Sequence, residues 1–255
     1  MATVALALVG GSALAEEEPG IDDPGTPVPV LEPIVRSEAT MRCDGGPCEG
    51  TEGRDVVWGS TASDEIHAKG ARDGVAARSG HDFLFGGTHA DVLFGGPGDD
   101  SLQGGGGADD LDDSEGGDRD GIRGGPGEDF AMLLDGDGDD AVSCGEGATD
   151  RAWVDLGDEI DHRSCEEVTI PVRAIGVLEV PEITFYMYGD YALIDERSGR
   201  HLALQADRDD PPAEDLSGLV GERIVVYGTA VPGMEAGQVE GGPPLVEVTD
   251  AYRAR

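Results

Sequence analysis

The chain has 255 residues, with 54 acidic against 17 basic side chains, a formal charge of -37, 42 glycines and 5% aromatic residues. So much glycine and so few aromatics argue against a single well-packed enzyme core, and so acidic a surface is repelled by phosphate backbones and anionic bilayers. Nucleic acid and membrane insertion are therefore excluded, and the expectation is either a disordered acidic polymer or a chain that folds on hard cations.

Residues 1–15 form an apolar run ending Ala13-Leu14-Ala15, the small-x-small pattern of a signal-peptidase site, with Glu16-Glu17-Glu18 behind it. This reads as a secretory signal peptide, although no basic residue precedes Arg36. Fifteen residues fall short of the roughly 20 that span a bilayer core. Residues 16–42 are acidic and proline-rich (Pro19, Pro24, Pro27, Pro29, Pro33) and read as an extended linker, with an edge strand through Val28, Val30, Leu31, Ile34 and Val35 as the alternative.

Cysteines stand at 43, 48, 144 and 165, bracketing the glycine-rich middle of the chain. Four cysteines allow three connectivities; proximity favours Cys43–Cys48 and Cys144–Cys165, and neither spacing suits a structural zinc site. Disulfides in an extracellular protein are the expectation.

Between the cysteine pairs, aspartates recur at 55, 64, 73, 82, 91, 100 and 109, nine residues apart, and two positions after each stands an aliphatic residue: Val57, Ile66, Val75, Leu84, Leu93, Leu102, Leu111. Chance would produce seven such aspartates in about one case in 10^5 at this aspartate density, so the pattern is a structural repeat and not a linker. The register slips by two to Asp120 and Ile122, resumes at Asp129 and Ala131, and slips again to Asp140 with Val142 and Asp150 with Ala152. Glycines let a six-residue turn point several carbonyl oxygens inward and its aspartate adds a carboxylate, an all-oxygen set suited to a hard ion such as calcium. The remaining three residues form a short strand with its middle aliphatic inward.

The units Gly86–Phe94, Gly95–Gln103, Gly104–Asp112 and Gly124–Met132 resemble the hemolysin-type (RTX) calcium-binding nonapeptide, glycine-glycine-x-glycine-x-aspartate-x-aliphatic-x. The resemblance implies a right-handed parallel β-roll over residues 43–168, two units per 18-residue coil, with coils about 4.8 Å apart. It also implies calcium ligation by Gly86, Gly87 and Asp91; by Gly95, Gly96, Gly98 and Asp100; by Gly104, Gly105, Gly107 and Asp109; and by Gly124, Gly125, Gly127 and Asp129, joined by Asp82, Asp120 and Asp140. Turns 18 residues apart pair Asp91 with Asp109 and Asp82 with Asp100. The pairs Asp100–Asp120, Asp109–Asp129 and Asp120–Asp140 are further candidates that cross the slips, where individual sites can be distorted or lost. Asp64 and Asp73 sit in turns without the glycine pair and read as degenerate coils kept for the aliphatic column. The segment Asp140–Val168 looks like an RTX closing unit, tied by Cys144–Cys165. Phe83, Phe85 and Phe94 flank inward aliphatics and should face outward, as a docking patch or as scattered apolar residues.

Residues 171–255 turn β-rich, with candidate strands Val172–Glu179, Phe185–Tyr188, Tyr191–Asp195, His201–Ala206, Arg223–Thr229 and Leu245–Ala251. Their order looks like a small OB-like β-barrel, with an SH3-like barrel or an immunoglobulin-like sandwich as alternatives. Tyr186, Tyr188, Tyr191 and Tyr227 offer a sugar-binding face or ordinary half-buried strand positions. No catalytic motif is present: no Gly-x-Ser-x-Gly elbow, zinc helix, phosphate loop or dinucleotide fingerprint. The sequence thus reads as an all-β chain, a parallel β-roll followed by a small OB-like barrel, in a secreted non-enzymatic calcium-binding protein. A cell-surface adhesion module whose barrel binds glycan or protein, or an accessory part of a secreted hydrolase, is the alternative.

Overall fold

In the computed structural model the described residues are 41–180 and 189–254, less 117, 137, 208, 210 and 232–242. The expected signal peptide, most of the linker, the strand at Phe185–Tyr188 with Tyr186 and Tyr188, and the turn at Pro232-Gly233 lie outside them.

The inward aliphatic every nine residues makes successive strands alternate between two parallel sheets, each strand stacking on the one two places earlier. One sheet holds β1 (Met41–Arg42), β3 (Val56–Trp58), β5 (Gly74–Ala76), β7 (Val92–Phe94), β9 (Asp110–Asp112), β11 (Phe130–Leu133), β13 (Arg151–Val154) and β15 (Glu167–Thr169). The other holds β2 (Gly46–Glu49), β4 (Asp64–Lys69), β6 (Phe83–Thr88), β8 (Ser101–Gly106), β10 (Gly121–Pro126), β12 (Ala141–Glu146) and β14 (Glu159–Ile160). Partners lie 18 residues apart in the early coils (Val57 with Val75, Leu84 with Leu102) and 20 apart beyond the first slip (Leu102 with Ile122, Leu111 with Ala131). The slips are thus absorbed in turns, and the ladders stay in register.

Between the sheets runs a single-file column: Val57, Ile66, Val75, Leu84, Leu93, Leu102, Leu111, Ile122, Ala131, Val142 and Ala152 are all buried. Each removes an aliphatic side chain from water, worth roughly 1.5–3 kcal/mol for the larger ones. Phe83 and its neighbours flank the column on the outer faces; Phe83 is exposed, and Phe85 stacks on the His67 ring at 4.4 Å.

One expectation needs correction. Strands of two to four residues hold in the first sheet, but β4, β6, β8, β10 and β12 run six residues. In β6 and β8 the glycine pair that opens the next turn stays in the parallel ladder, Gly87 opposite Gly105. A Cβ on Gly105 would lie 2.2 Å from the Gly87 carbonyl oxygen, so its absence lets the two backbones pair, and the turn that remains is shorter.

The disulfides join Cys43 to Cys48 in the first coil and Cys144 to Cys165 in the last. Beyond them a five-stranded sheet of β16 (Pro171–Val177), β17 (Tyr191–Ile194), β18 (His201–Ala206), β19 (Arg223–Ala230) and β20 (Leu245–Arg253) has the order β16-β19-β20-β18-β17. The β18–β20 pair is parallel and the rest antiparallel, and a bridge between Glu179 and Ala192 joins the chain after β16 to β17. A 3-10 turn, Leu216–Leu219, is capped by the Asp215 carboxylate, which accepts from the Ser217 N–H. The apolar core continues unbroken from the coils into this sheet through Cys165, Ile170, Val172 and Ala174. The Arg200 guanidinium also donates to the carbonyl of Leu156 in the last coil.

Candidate metal centre

Every turn ends in an acid, and the parallel stacking places those acids above one another along two edges. On the edge leading into the first sheet the backbone N–H of each aspartate donates to a carboxylate oxygen one coil on: Asp55 to Asp73 (2.7 Å), Asp73 to Asp91 (2.8 Å), Asp91 to Asp109 (2.8 Å), Asp109 to Asp129 (2.9 Å), Asp129 to Asp150 (2.7 Å), Asp150 to Glu166 (2.9 Å). On the edge leading into the second sheet the same ladder runs Asp64 to Asp82 (2.6 Å), Asp82 to Asp100 (2.7 Å), Asp100 to Asp120 (2.7 Å), Asp120 to Asp140 (2.7 Å) and Asp140 to Asp158 (3.3 Å). The pairs that cross the slips are as well formed as those that do not.

Each aspartate that accepts on the ladders does so through Oδ1. In Asp73, Asp82, Asp91, Asp100, Asp109, Asp120, Asp129, Asp140 and Asp150, Oδ2 is buried with no hydrogen-bond partner among the described residues. A buried unpartnered carboxylate oxygen is costly, and rows of them stacked on carbonyl-lined turns fit hard cations that take six to eight oxygens. The ends of the ladders differ. Asp55 Oδ2 accepts from the N–H and hydroxyl of Thr51 (2.7 and 2.9 Å), Asp64 Oδ2 accepts from those of Ser60 (2.7 and 3.0 Å), and Asp158 Oδ2 accepts from the Asp155 N–H (2.7 Å). A hydroxyl residue four positions before the aspartate satisfies the first turns from within the protein. From Asp73 to Asp150 nothing among the described residues takes that role.

The glycines make room for this arrangement. At Gly104 a Cβ would lie 2.5 Å from Asp109 Oδ2, so the carboxylate folds back against the first glycine of its own turn. At Gly105, with φ +106°, a Cβ would lie 2.2 Å from the carbonyl oxygen of Gly87 in the coil below. In the early turns Lys69, Arg78 and His89 hold positive φ values of 84°, 85° and 81° at the positions glycine occupies later.

Burial is the main electrostatic fact of the site. It pushes Asp91 up to about 7, Asp100 to about 8, Asp109 to about 6, Asp129 to about 7 and Asp140 to about 7, while the N–H from the preceding coil pulls each the other way. Neighbouring carboxylates raise them further, Asp109 and Asp73 acting on Asp91, Asp82 and Asp120 on Asp100. A cation between the turns removes this penalty by keeping the carboxylates charged and paired.

The expected aspartates at 82, 91, 100, 109, 120, 129 and 140 all stand on the ladders. Asp73 and Asp150 belong with them. Asp73 was expected only as part of a degenerate coil, yet its Oδ2 is as isolated as that of Asp91. Two further acids come from the inserted turns. Asp113 is buried against Gly95, accepts from the Gly96 N–H (3.0 Å) and is pushed up to about 9 by burial and by Asp120 and Asp100. Asp135 lies with Asp120 and Asp140 in a group in which one carboxylate oxygen of each falls within 4.8 Å of the other two. Neither obeys the nine-residue register, so the periodicity that found the others passed over them.

Residues 49–84 and 85–119 match the family model of the RTX calcium-binding nonapeptide repeat (4 copies). No curated protein and no solved structure matches the chain. The matched residues are RTX-type nonapeptide repeats wound into a parallel solenoid, and calcium is the ion their stacked turns fit.

Proposed function

We propose that this chain is a secreted, non-enzymatic calcium-binding protein whose coils fold when calcium fills the gaps between stacked turns. The observation that carries the reading is the row of buried Oδ2 atoms from Asp73 to Asp150, each lacking a partner. On the edge into the first sheet the ligands are Asp91, Asp109 and Asp129 with the carbonyls of turns Gly86–Asp91, Gly104–Asp109 and Gly124–Asp129. On the other edge they are Asp82, Asp100, Asp120 and Asp140 with the carbonyls around Gly95, Gly96 and Gly98. Extracellular millimolar calcium saturates such sites where cytosolic levels leave them empty, which couples folding to export. The signal-like residues 1–15 and the two disulfides support secretion. No helix among the described residues is long and apolar enough to cross a membrane.

The test is a calcium titration of the chain, with magnesium as control, read by far-ultraviolet circular dichroism and hydrodynamic radius. A calcium-selective coil-to-β transition with compaction is expected. A chain that is compact and β-rich in chelator, or expanded in calcium, would overturn the reading.

A second reading gives the carboxyl-terminal strands, residues 171–255, a ligand of their own. An OB-like barrel is supported by the strand order, by the parallel β18–β20 pair and by the Glu179–Ala192 bridge that brings the first two strands together. Arg173, Tyr227 and Tyr252 cluster on this sheet, with the Arg173 Nε donating to the Tyr227 hydroxyl (3.0 Å) and the two tyrosine hydroxyls 3.3 Å apart. Such a face suits a glycan or an acidic protein segment. Glycan-array binding abolished by Tyr227→Ala favours the adhesion module; no binding disposes of it.

A further inference from the structure

The two edges of the solenoid do not carry the same acids. On the edge into the first sheet each turn brings one ladder aspartate. On the edge into the second sheet the inserted turns bring more. β9 ends at Asp112 and the next ladder acid is Asp120, whereas β7 ends at Phe94 and its ladder acid is Asp100. The longer turn contributes Asp113, and the following one contributes Asp135. Among the described residues one group of three carboxylates has one oxygen of each within 4.8 Å of the other two: Asp120, Asp135 and Asp140.

In Asp120 and Asp140, 3% and 1% exposed, Oδ1 is already taken by the N–H of the preceding ladder aspartate, at 2.7 Å in both cases. Oδ2 of each is buried with no hydrogen-bond partner among the described residues, and these are the oxygens left to meet the third carboxylate. Asp113 repeats the pattern one coil earlier, its Oδ2 likewise buried without a partner beside Asp100 and Asp120.

We propose that the inserted turn around Asp135 builds, with Asp120 and Asp140, a three-carboxylate cation site that binds calcium and trivalent lanthanides more tightly than the one-acid-per-turn sites on the opposite edge. The proposal rests on the calcium reading of the ladders and goes beyond it, because Asp135 lies outside the nonapeptide register. Affinity for hard cations rises with the number of charged ligands. The three-carboxylate gap is therefore the first to fill and the last to empty. An insertion that departs from the repeat strengthens a site here.

The experiment is calcium binding to the full chain by equilibrium dialysis, repeated with limiting terbium, on the parent, on Asp135→Asn and on Asp109→Asn. Asp135 is partly exposed, so its amide variant keeps the fold, and Asp109 reports the opposite edge. The parent is expected to show a tight class that Asp135→Asn weakens by about tenfold or more while the weaker class and the calcium-driven folding transition persist. Asp109→Asn is expected to spare the tight class, and terbium at limiting amounts should occupy only the site lost in Asp135→Asn. If the parent binds calcium and folds but Asp135→Asn gives the same isotherm, the three-carboxylate site is refuted and the ladder reading stands. If the parent binds no calcium, both fall. Should Asp135→Asn fold poorly, the order of terbium filling in the parent decides: terbium that spreads evenly over both classes overturns the proposal.

Discussion

Asp109→Asn should destabilise the protein in calcium and stabilise it in chelator. The substitution is nearly isosteric, and its amide oxygen continues to accept the Asp91 N–H that Asp109 Oδ1 accepts at 2.8 Å. What changes is the second oxygen, buried beside Gly104 with no hydrogen-bond partner. Without calcium that oxygen carries part of an uncompensated charge; an unsatisfied buried polar atom costs about 1–3 kcal/mol, and more when charged, so the amide should gain at least about 1 kcal/mol. On the proposed reading the carboxylate is a calcium ligand, and its loss should weaken the site by about ten- to a hundredfold, or about 1.4–2.8 kcal/mol at saturation. The two stability curves therefore cross as calcium rises. Urea unfolding followed by circular dichroism, in chelator and in saturating calcium, measures both arms. A variant less stable than the parent in chelator would show that Asp109 is paid for by protein contacts, and the argument from unpartnered oxygens would be refuted.

Three other outcomes follow from the same contacts. Asp91, Asp100, Asp109 and Asp113 are pushed up to about 7, 8, 6 and 9 from an ordinary 3.8. Raised folded values mean that metal-free stability is fully present below the unfolded value and lost as pH rises through the folded ones, so chelated protein should gain β structure on acidification from alkaline pH; stability that rises with pH counts against this. Ser60→Ala removes one of the two donors to Asp64 Oδ2 and should cost about 1 kcal/mol, equally in calcium and in chelator, because that turn is satisfied by protein groups; a calcium-dependent loss would place a cation there instead. Gly105→Ala puts a Cβ 2.2 Å from the Gly87 carbonyl oxygen at a φ of +106°, which should cost at least about 2 kcal/mol and lower the melting temperature in calcium; an unchanged melting temperature would mean that the coils part easily.

The nine-residue register made most of this legible before any coordinates, because a solenoid repeats its constraints along the chain: Leu84, Leu93 and Leu102 each answer to the same neighbour rule. The same logic located the ladder pairs 18 residues apart. It misjudged Asp73 because it weighed glycine content, whereas the ladder needs only a carboxylate at the end of a stacked turn, and Lys69 and Ala71 reach the required backbone at positive φ without glycine. It counted Asp120 and Asp140 as ligands and left open whether the slips distort their sites. A turn lengthened by two residues leaves the strands paired, as Gly121 with Ala141 shows, and adds acids to the gap. Asp113 and Asp135 belong to no period, and only the fold reveals where they point. The self-satisfied ends were readable in principle, since Thr51 and Ser60 each precede their aspartate by four residues, but that spacing acquires meaning only once Oδ2 is known to be buried elsewhere.

The contrast between ends and middle bears on how so acidic a chain folds. A solenoid is nearly one-dimensional, each coil resting on its neighbours, so a stable end is a template on which the next coil can form. The first coil is crosslinked by Cys43–Cys48, and Thr51 and Ser60 satisfy its carboxylates. The last is crosslinked by Cys144–Cys165, with Asp158 satisfied by two N–H groups and the Asp150 N–H received by Glu166. Its apolar core also continues into the five-stranded sheet through Ile170 and Val172. Asp55, Asp64 and Asp158 thus have Oδ2 satisfied by protein groups, whereas the ladder aspartates from Asp73 to Asp150 keep a buried Oδ2 without a hydrogen-bond partner among the described residues. Calcium therefore acts on the middle, with both faces of the gap already presented by ordered coils. The crosslinked ends should template the coils between them, so fully reducing the chain should make the calcium transition require more calcium and lose cooperativity even though no cysteine is a ligand.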